Sequence, residues 1–431
     1  MDADILYLLG VFFVAAILGF PIGFSMLGAG IFYLFMTDQD IAIYGAQILS
    51  RLSTRIVLIA IPLFIFAANI MNAGTITDRL LNFGTALVGR FRGGMAYANV
   101  VTSLIFSGMS GSAVADAAGP GTVLVRMMTR ENRYTPGFAG AVTAASATIG
   151  PIIPPSIPMV MYALAANTSV GALFLGGIIP GIMMALALSG AIAFMAWRRN
   201  FPTETPVPLR ALPRVTMLAF LPLMMPVILL GGIYSGVSTP TEAAAVAGLY
   251  ALILGVFVYR VLGLRELNRI LIQSARGTSV VMMVVSGAFV FNFAIVSEGV
   301  PNALAAFISE LDLSPLVFML MINAIFLLLG AVFDVAVLLL VIVPIVIPSV
   351  VALEINLIHF GVVIVVNIML GLVTPPYGML LFVINAMTGA SLSAMIRDIW
   401  IFILVLVIAL LFMIAFPGIV LWLPRQFGFV N

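Results

Sequence analysis

Long apolar stretches most strongly limit what this chain can fold into. Residues 217–233, 241–258, 277–297 and 399–423 each contain at most one charged side chain. About 18 apolar residues are enough to cross a bilayer as an α-helix. Because lipid offers no hydrogen-bond partner to the backbone, a spanning segment must be a helix or part of a closed barrel. Unbroken apolar runs, as opposed to short alternating segments, favour helices.

The composition agrees with lipid as the main solvent. Of the 431 residues, 63% are hydrophobic and 8% are charged, whereas soluble domains carry about 25% charged residues. A soluble protein of this size could not bury so much apolar surface in one core. We therefore expect an all-α polytopic membrane protein.

Several kinds of catalytic chemistry lack the side chains that they need. The sequence has no cysteine and no lysine, which excludes thiolate metal sites, cysteine nucleophiles and Schiff bases. The one histidine, His359, lies in an apolar stretch and is interpreted as a polar packing residue. The net charge of +2 gives no sign of nucleic-acid binding, and no nucleotide-binding loop occurs. We expect no enzymatic activity, and an ion gradient as the energy source.

Two pairs of interrupted apolar segments differ from a smooth spanning helix. Residues 94–125 are broken at 107–121 by a stretch that is rich in Gly and Ser and contains Asp116, and residues 314–351 are broken around "LLLGAVFDVAVL". Irregular backbone at membrane depth occurs in re-entrant hairpins that are buried in protein or beside water. Each hairpin precedes a segment with a Pro-Pro break, at 135–166 and 357–387, and such segments cannot be continuous helices.

The same order of elements occurs twice along the chain. The first repeat is predicted over residues 1–196 and the second over residues 215–431, joined by a polar, proline-rich linker at 197–214. In each repeat an amphipathic arm helix, at 75–92 or 300–312, precedes the hairpin. Interruptions at matching positions of two halves are typical of transporter binding sites.

The distribution of arginine indicates that the two repeats are inverted. Cytoplasmic loops of membrane proteins carry an excess of basic residues. The base of the first hairpin carries five arginines, whereas the base of the second carries Glu310, Asp312 and Glu354 and no arginine. The hairpins are therefore predicted to enter from opposite sides, with the linker in the cytoplasm and the N-terminus in the periplasm.

The hairpin tips and broken helices together predict two cation sites near the bilayer midplane. Broken helices expose carbonyl groups that can hold Na⁺, and hard cations prefer oxygen ligands. The residues of the first predicted site are Ser110, Gly111, Ser112, Thr148, Ile149 and Gly150. The residues of the second are Gly330, Asp334, Gly371, Val373 and Thr374.

Substrate contacts are expected from the same tips and breaks. The predicted contact residues are Ser112, Asp116, Pro154, Pro155, Ser156, Thr374, Pro375 and Pro376. Asp116 and Asp334 lie deepest in the hairpins, and carboxylates inside membranes are costly and usually functional. Each could instead cap the N-terminus of a half-helix, and the sequence leaves both interpretations open. Glu242, in "TPTEAAA", is interpreted as part of a helix cap.

Four motifs in order resemble the large membrane subunit of tripartite ATP-independent periplasmic (TRAP) transporters. They are "SGSAVADAAGPG" (110–121), "AVTAASATIGPIIPPSI" (141–157), "GGIYSGVSTPTEAAAVA" (231–247) and "GLVTPPYGM" (371–379). The resemblance covers nearly the whole chain. It implies an elevator mechanism driven by a Na⁺ gradient, with the hairpins and broken helices as the moving part and the two predicted cation sites as Na⁺ sites. Residues 333–344 are more aliphatic than is usual in the family, which weakens the expectation of polar substrate contacts from the second tip.

The resemblance also implies a set of partners. A periplasmic solute-binding protein would deliver an organic acid, such as a dicarboxylate or a sialic acid, and a small four-helix membrane subunit would brace the chain among the lipids of a bacterial inner membrane. Two alternatives stay open. One is a self-sufficient ion-coupled secondary carboxylate carrier of similar design, and the other is a scaffold subunit without its own pathway.

Overall fold

The computed structural model describes residues 3–72, 75–203 and 212–430. This part of the chain is helical throughout and contains no β-strand, apart from an isolated antiparallel bridge between Arg92 and Thr203. The helices of the first half are α1 (Ala3–Ile17), α2 (Ile22–Met36), α3 (Ile41–Thr54), α4 (Ala60–Met71), α5 (Thr75–Val88), α6 (Gly94–Ser110), α7 (Ala113–Asp116), α8 (Thr122–Thr129), α9 (Pro136–Ala147), α10 (Ile157–Ala166) and α11 (Val170–Arg199). Those of the second half are α12 (Leu212–Tyr234), α13 (Pro240–Ile253), α14 (Leu264–Ser297), α15 (Val300–Glu310), α16 (Pro315–Gly330), α17 (Val335–Val337), α18 (Val343–Ala352), α19 (Leu357–Gly371), α20 (Met379–Thr388), α21 (Leu392–Ala415) and α22 (Gly418–Gln426).

Six of the described helices are long and apolar enough to cross a membrane. They are Val170–Arg199, Leu212–Tyr234, Pro240–Val258, Leu264–Ser297, Val335–Ala352 and Leu392–Ala415. Shorter apolar helices, among them α10, α16, α19 and α20, have 10–17 residues. Because a crossing needs about 20 helical residues, two short helices in series replace one long helix in the broken segments.

Both predicted hairpins are present. In the first, α6 enters, Gly111 ends it in the left-handed conformation at φ 58°, and α7 and α8 return. A π-helical turn at Ala117–Gly121 accommodates Pro120 inside the returning limb. In the second, α16 enters, and α17 and α18 return through a π-helical turn at Leu338–Ile342.

Both predicted broken helices are present as well. The first consists of α9 and α10, separated by residues 148–156, and the second of α19 and α20, separated by residues 372–378. Each gap contains a cis Pro-Pro peptide bond, at Pro154–Pro155 and Pro375–Pro376. The all-α class with two hairpins and two broken helices is therefore confirmed.

Some predicted boundaries differ from the observed ones. The linker predicted at 197–214 is shorter, because α11 continues to Arg199 and α12 already begins at Leu212. Two arginines in the last turn of α11 favour this extension, since cations stabilise a helix C-terminus. The first hairpin ends at Thr129 instead of residue 125, and the first arm helix ends at Val88 instead of residue 92. Residues 204–211 of the linker lie outside the described part.

One pair of equivalent helices in the two halves runs in opposite directions. Each broken helix is followed by one long helix, α11 in the first half and α21 in the second. Arg199, the last residue of α11, pairs at 2.7 Å with Asp398 in the second turn of α21. The two helices pack along each other and are therefore antiparallel. Opposite directions of equivalent elements are what an inverted repeat requires.

The helices form two packed groups. We call α2, α4, α12, α13 and α14 the frame, because α2 and α4 pack on α14, and α13 packs on α4 and α12. We call α6–α11 and α16–α22 the hairpin body. Within it the repeats exchange contacts, since α10 packs on the returning limb of the second hairpin and α20 on that of the first. The arm helices α5 and α15 each contact both groups.

Candidate functional site

The first hairpin tip is closed by Ser110, Gly111 and Ser112. Ser110 is fully buried, and its Oγ has no hydrogen-bond partner in the described part of the chain. Ser112 caps α7, with its Oγ accepting from the backbone N–H of Ala115 at 3.3 Å. The tip thus offers one buried hydroxyl group that the protein itself leaves unpaired.

The first tip packs directly against the first break. The backbone of Gly111 lies against the carbonyl group of Pro155 with no room for a side chain. A β-carbon on Gly150 would lie 3.5 Å from the carbonyl oxygen of Ser112. The structure therefore brings the two parts of this predicted cluster into contact, and the contact is between backbones, whose polar groups include carbonyl oxygens.

The hydroxyl groups of the first break already form hydrogen bonds within the protein. The Oγ1 of Thr148 donates to the carbonyl of Ala145 at 2.6 Å. The Oγ of Ser156 donates to the carbonyl of Pro151 and accepts from the N–H of Met159 at 3.2 Å, which makes Ser156 the cap of α10. Both hydroxyl oxygens can still accept or coordinate, since a hydroxyl has two lone pairs. Ile149 is fully buried and can contribute only backbone atoms.

The second tip and second break meet at two glycines. A β-carbon on Gly371 would lie 2.5 Å from the carbonyl carbon of Gly330, so the ends of α16 and α19 touch through their backbones. Thr374 donates its Oγ1 to the carbonyl of Leu370 at 2.7 Å. Val373 is fully buried. The fold thus brings Gly330 and Gly371 of this second predicted cluster into contact.

The structure also brings the two clusters toward each other. α7, which begins after the first tip, packs on α20 beyond the second break. α17, which begins after the second tip, packs on α10 beyond the first break. The tips and breaks of both repeats therefore surround one region in the hairpin body. Pro154, Pro155, Pro375 and Pro376 can line this region only with rings and carbonyl groups, because proline has no N–H.

The two hairpin carboxylates have different roles in the structure. Asp334 caps α17, with its Oδ1 accepting from the N–H of Ala336 at 2.8 Å, and its side chain is exposed. Asp116 caps no helix, because Ser112 does so instead. Asp116 is 1% exposed, and its Oδ2 has no partner in the described residues. Asp116 thus lies inside the first hairpin, away from the surface that Asp334 occupies at the second.

Buried polar side chains that the sequence did not single out tie each hairpin to its own broken helix. In the first repeat, Ser146 donates to the Oδ1 of Asn99 at 2.9 Å, and Ser103 donates to Ser146 at 3.1 Å. In the second, Asn367 donates to the Oδ1 of Asn323 at 2.7 Å. One sequence signal could have pointed to Ser146 and Asn367. Each is a polar residue in an apolar helix, and each stands four residues before the glycine of a Gly-x-x-x-Pro-Pro sequence, at 150–155 or 371–376.

Two other sequence interpretations can be checked. His359 is buried and hydrogen-bonds through Nε2 to the carbonyl of Met413 at 2.8 Å, as a packing residue would. Glu242 forms a capping box with Thr239, as predicted.

The polar atoms at the tips and breaks are mainly oxygen atoms. Within the described residues there is no group of three or more Asp, Glu, His or Cys side chains that could hold a transition metal. The available ligands are hydroxyl groups, backbone carbonyls and the carboxylate of Asp334. Oxygen ligands of low total charge suit an alkali cation better than a tightly held divalent ion.

The fold and the site together define a membrane transporter built on two hairpins and two broken helices. The chain belongs to the family of large permease components of TRAP transporters. A family model described as "Tripartite ATP-independent periplasmic transporter, DctM component" matches residues 9–419.

Several characterised proteins are similar over most of their length. The sialic acid TRAP transporter large permease protein SiaM of Vibrio cholerae serotype O1 is 39% identical over 95% of this chain and 96% of its own. The C4-dicarboxylate TRAP transporter large permease protein DctM of Pseudomonas aeruginosa is 38% identical over 86% of this chain and 87% of its own. The solved structure of the YdaH transporter of Alcanivorax borkumensis has a TM-score of 0.61 at 14% identity, covering 86% of this chain and 87% of that one, and thus shares the fold.

Proposed function

We propose that this permease imports an organic acid, driven by a Na⁺ gradient, through an elevator movement of the hairpin body. The observation that carries the proposal is the buried, unpaired Oγ of Ser110 at a tip that packs by backbone contact on the first break. An unpaired hydroxyl costs free energy unless a ligand pairs with it. A Na⁺ ion coordinated there would satisfy this oxygen and join the tip to the break.

The proposed Na⁺ ligands are those of the two clusters. In the first, Ser110 would act through its hydroxyl, and neighbouring backbone carbonyls would complete the shell. In the second, Asp334 and Thr374 would supply side-chain oxygens beside the Gly330–Gly371 contact. α7, α10, α17 and α20 begin directly after the tips and breaks, and the partial positive charges of their N-terminal ends would attract a carboxylate substrate.

The elevator movement is supported by the way the helices are grouped. Buried hydrogen bonds tie each hairpin to its own broken helix, and the Arg199–Asp398 ion pair joins the two repeats within the hairpin body. An additional bond from the hydroxyl of Tyr162 to the carbonyl of Leu357 at 2.7 Å links α10 to α19. A body that is tied internally in this way would move as a unit against the frame.

The proposed partners are a small four-helix membrane subunit and a periplasmic solute-binding protein, with all membrane components in the bacterial inner membrane. The substrate class is a carboxylate, since the names of similar permeases refer to sialic acid and C4-dicarboxylates. The N-terminus would lie in the periplasm, because the arginine-rich base of the first hairpin would lie in the cytoplasm.

Uptake by the purified proteins in liposomes tests this function. The permease, its small subunit and the binding protein loaded with labelled acid are expected to accumulate the acid only under an inward Na⁺ gradient. Uptake that persists when K⁺ replaces Na⁺ would contradict Na⁺ coupling. Uptake by the permease without the binding protein and small subunit would favour the self-sufficient carrier instead.

A further inference from the structure

An apolar groove runs along the outer surface of the hairpin body between α11 and α21. Its volume is about 670 Å³, and all its lining residues are apolar or glycine. Met183 and Phe194 mark its ends on α11, and Phe412 and Ile401 mark them on α21. Because the two helices are antiparallel, Phe194 and Ile401 lie at the same end of the groove. A long, open apolar channel of this kind fits an acyl chain.

Two arginines extend the groove at that end. Arg198 stands four residues after Phe194, and Arg397 four residues before Ile401, so each continues the row of side chains that lines the groove. Both arginines are exposed. Asp398 pairs with Arg199 and not with either of these two arginines.

The ion pair between Arg199 and Asp398 fixes the positions of Arg198 and Arg397 relative to each other along the helix axes. Arg198 and Arg397 are the sequence neighbours of the paired residues, whose N and O atoms are 2.7 Å apart. The guanidinium groups of Arg198 and Arg397 therefore leave the two helices at the same level. Asp398 is the one acidic residue in α11 and α21 together, so three arginines and one aspartate leave a local charge of +2 (3 − 1).

Two tryptophans mark the same level as the membrane interface. Trp197 is 74% exposed and Trp400 is 53% exposed. Each tryptophan lies close to the end of one of the two rows of side chains that line the groove. Tryptophan prefers the depth of the lipid headgroups. The arginines at this end thus lie where a phospholipid phosphate would lie when its chain occupies the groove.

We propose that this groove is a binding site for an anionic phospholipid. The acyl chain would lie between α11 and α21, and the phosphate would accept hydrogen bonds from Arg198 and Arg397. Guanidinium groups bind phosphate in a bidentate manner, and a net charge of +2 favours a headgroup with an extra negative charge over a zwitterionic one. Since α11 belongs to the first repeat and α21 to the second, the lipid bridges both repeats of the hairpin body.

Quenching of tryptophan fluorescence by brominated lipids tests the site. The full permease is purified with its small subunit and placed in phosphatidylcholine vesicles that contain brominated phosphatidylglycerol or brominated phosphatidylcholine. Subtracting the signal of a Trp197→Phe/Trp400→Phe variant isolates the two tryptophans beside the groove. Half-maximal quenching is expected at a roughly 10-fold lower mole fraction of brominated phosphatidylglycerol, because each arginine near the lipid surface contributes to anionic lipid binding.

Variants separate this site from general attraction to a charged membrane. Arg198→Gln/Arg397→Gln should abolish the preference, and Arg198→Lys/Arg397→Lys should keep most of it. The matched control Arg265→Gln/Arg276→Gln removes two exposed arginines of α14 and should leave the preference unchanged. A preference that survives in the glutamine pair, or is equally lost in the control, would overturn the proposal.

Two further measurements identify what occupies the groove. Inorganic phosphate, added at constant ionic strength, should not change the preference, and loss of the preference would instead assign the arginines to free phosphate. If neither brominated lipid quenches these tryptophans in the complex but both quench them in the isolated permease, the small subunit covers the groove and the lipid site is refuted.

Discussion

Ser146 and Asn367 occupy equivalent positions in the two repeats, and each hydrogen-bonds to an asparagine of its own hairpin. Ser146 donates to Asn99 at 2.9 Å and Asn367 to Asn323 at 2.7 Å. Both stand four residues before the glycine that begins a Gly-x-x-x-Pro-Pro break. The incoming limb of each hairpin is thus fixed to the first half of its broken helix, which holds the tip against the break.

We expect Asn367→Leu to destabilise the folded permease in detergent by about 1 kcal/mol, the usual size of an interhelical polar contact in membranes. Unfolding followed by tryptophan fluorescence measures this change. In a double-mutant cycle with Asn323→Leu, the effects should be less than additive. Ser189→Ala, which removes a hydroxyl bonded only within its own helix, is the matched control. Additive effects in the cycle would contradict a direct coupling between the two asparagines.

Replacing Arg199 should be costly because its partner is buried. Asp398 is 3% exposed, so Arg199→Gln leaves a carboxylate without its counter-ion. We expect a loss of about 3 kcal/mol in unfolding free energy, at the lower end for buried pairs because Arg199 is partly exposed. Adding Asp398→Asn should recover most of it. The neighbouring Arg198→Gln is the control and should change stability little, and equal losses in the two arginine variants would refute the role of the pair.

Ser110→Ala distinguishes a Na⁺ ligand from a merely unpaired hydroxyl. If Ser110 binds Na⁺, the variant should raise the Na⁺ concentration for half-maximal uptake about 10-fold, the effect of losing about 1.4 kcal/mol. If the hydroxyl has no ligand, its removal should stabilise the fold and leave the Na⁺ dependence unchanged. Thr129→Val, at a residue bonded to its own helix outside the site, is the control for uptake.

Gly371→Ala tests the close contact of the second tip and break. The added methyl group would lie 2.5 Å from the carbonyl carbon of Gly330, so the tip has to move away. Overpacking of this kind costs about 1–3 kcal/mol, and uptake should fall along with stability. Gly231→Ala in α12, where nothing lies within 4 Å of the added carbon, should be neutral. Equal behaviour of the two alanine variants would show that the contact is unimportant.

The hairpins and breaks were predictable because their residues violate the pattern around them. Glycines, serines and prolines at 107–121 and 151–158 stand out in apolar segments. The inside of the hairpins was not predictable. A carboxylate such as Asp116 looks like a cap in the sequence, but Ser112 reaches the free N–H groups first. Which partner Asn99 or Asn323 finds depends on how the limbs pack, and no local pattern encodes that.

Disulfide trapping tests the movement of the hairpin body most directly. The chain has no native cysteine. A β-carbon on Gly108 of the hairpin body would lie 2.9 Å from the β-carbon of Pro226 in the frame, and one on Gly137 would lie 2.8 Å from the β-carbon of Ala394 within the hairpin body. Both separations are slightly shorter than a disulfide requires, so both pairs need a similar small adjustment.

The measurement is Na⁺-driven uptake by the two double-cysteine permeases, oxidised and then reduced. The account predicts that the Gly108→Cys/Pro226→Cys disulfide abolishes uptake and that reduction restores it, whereas the Gly137→Cys/Ala394→Cys disulfide leaves uptake intact. Undiminished uptake by the fully oxidised 108–226 pair would contradict an elevator movement of the hairpin body against the frame.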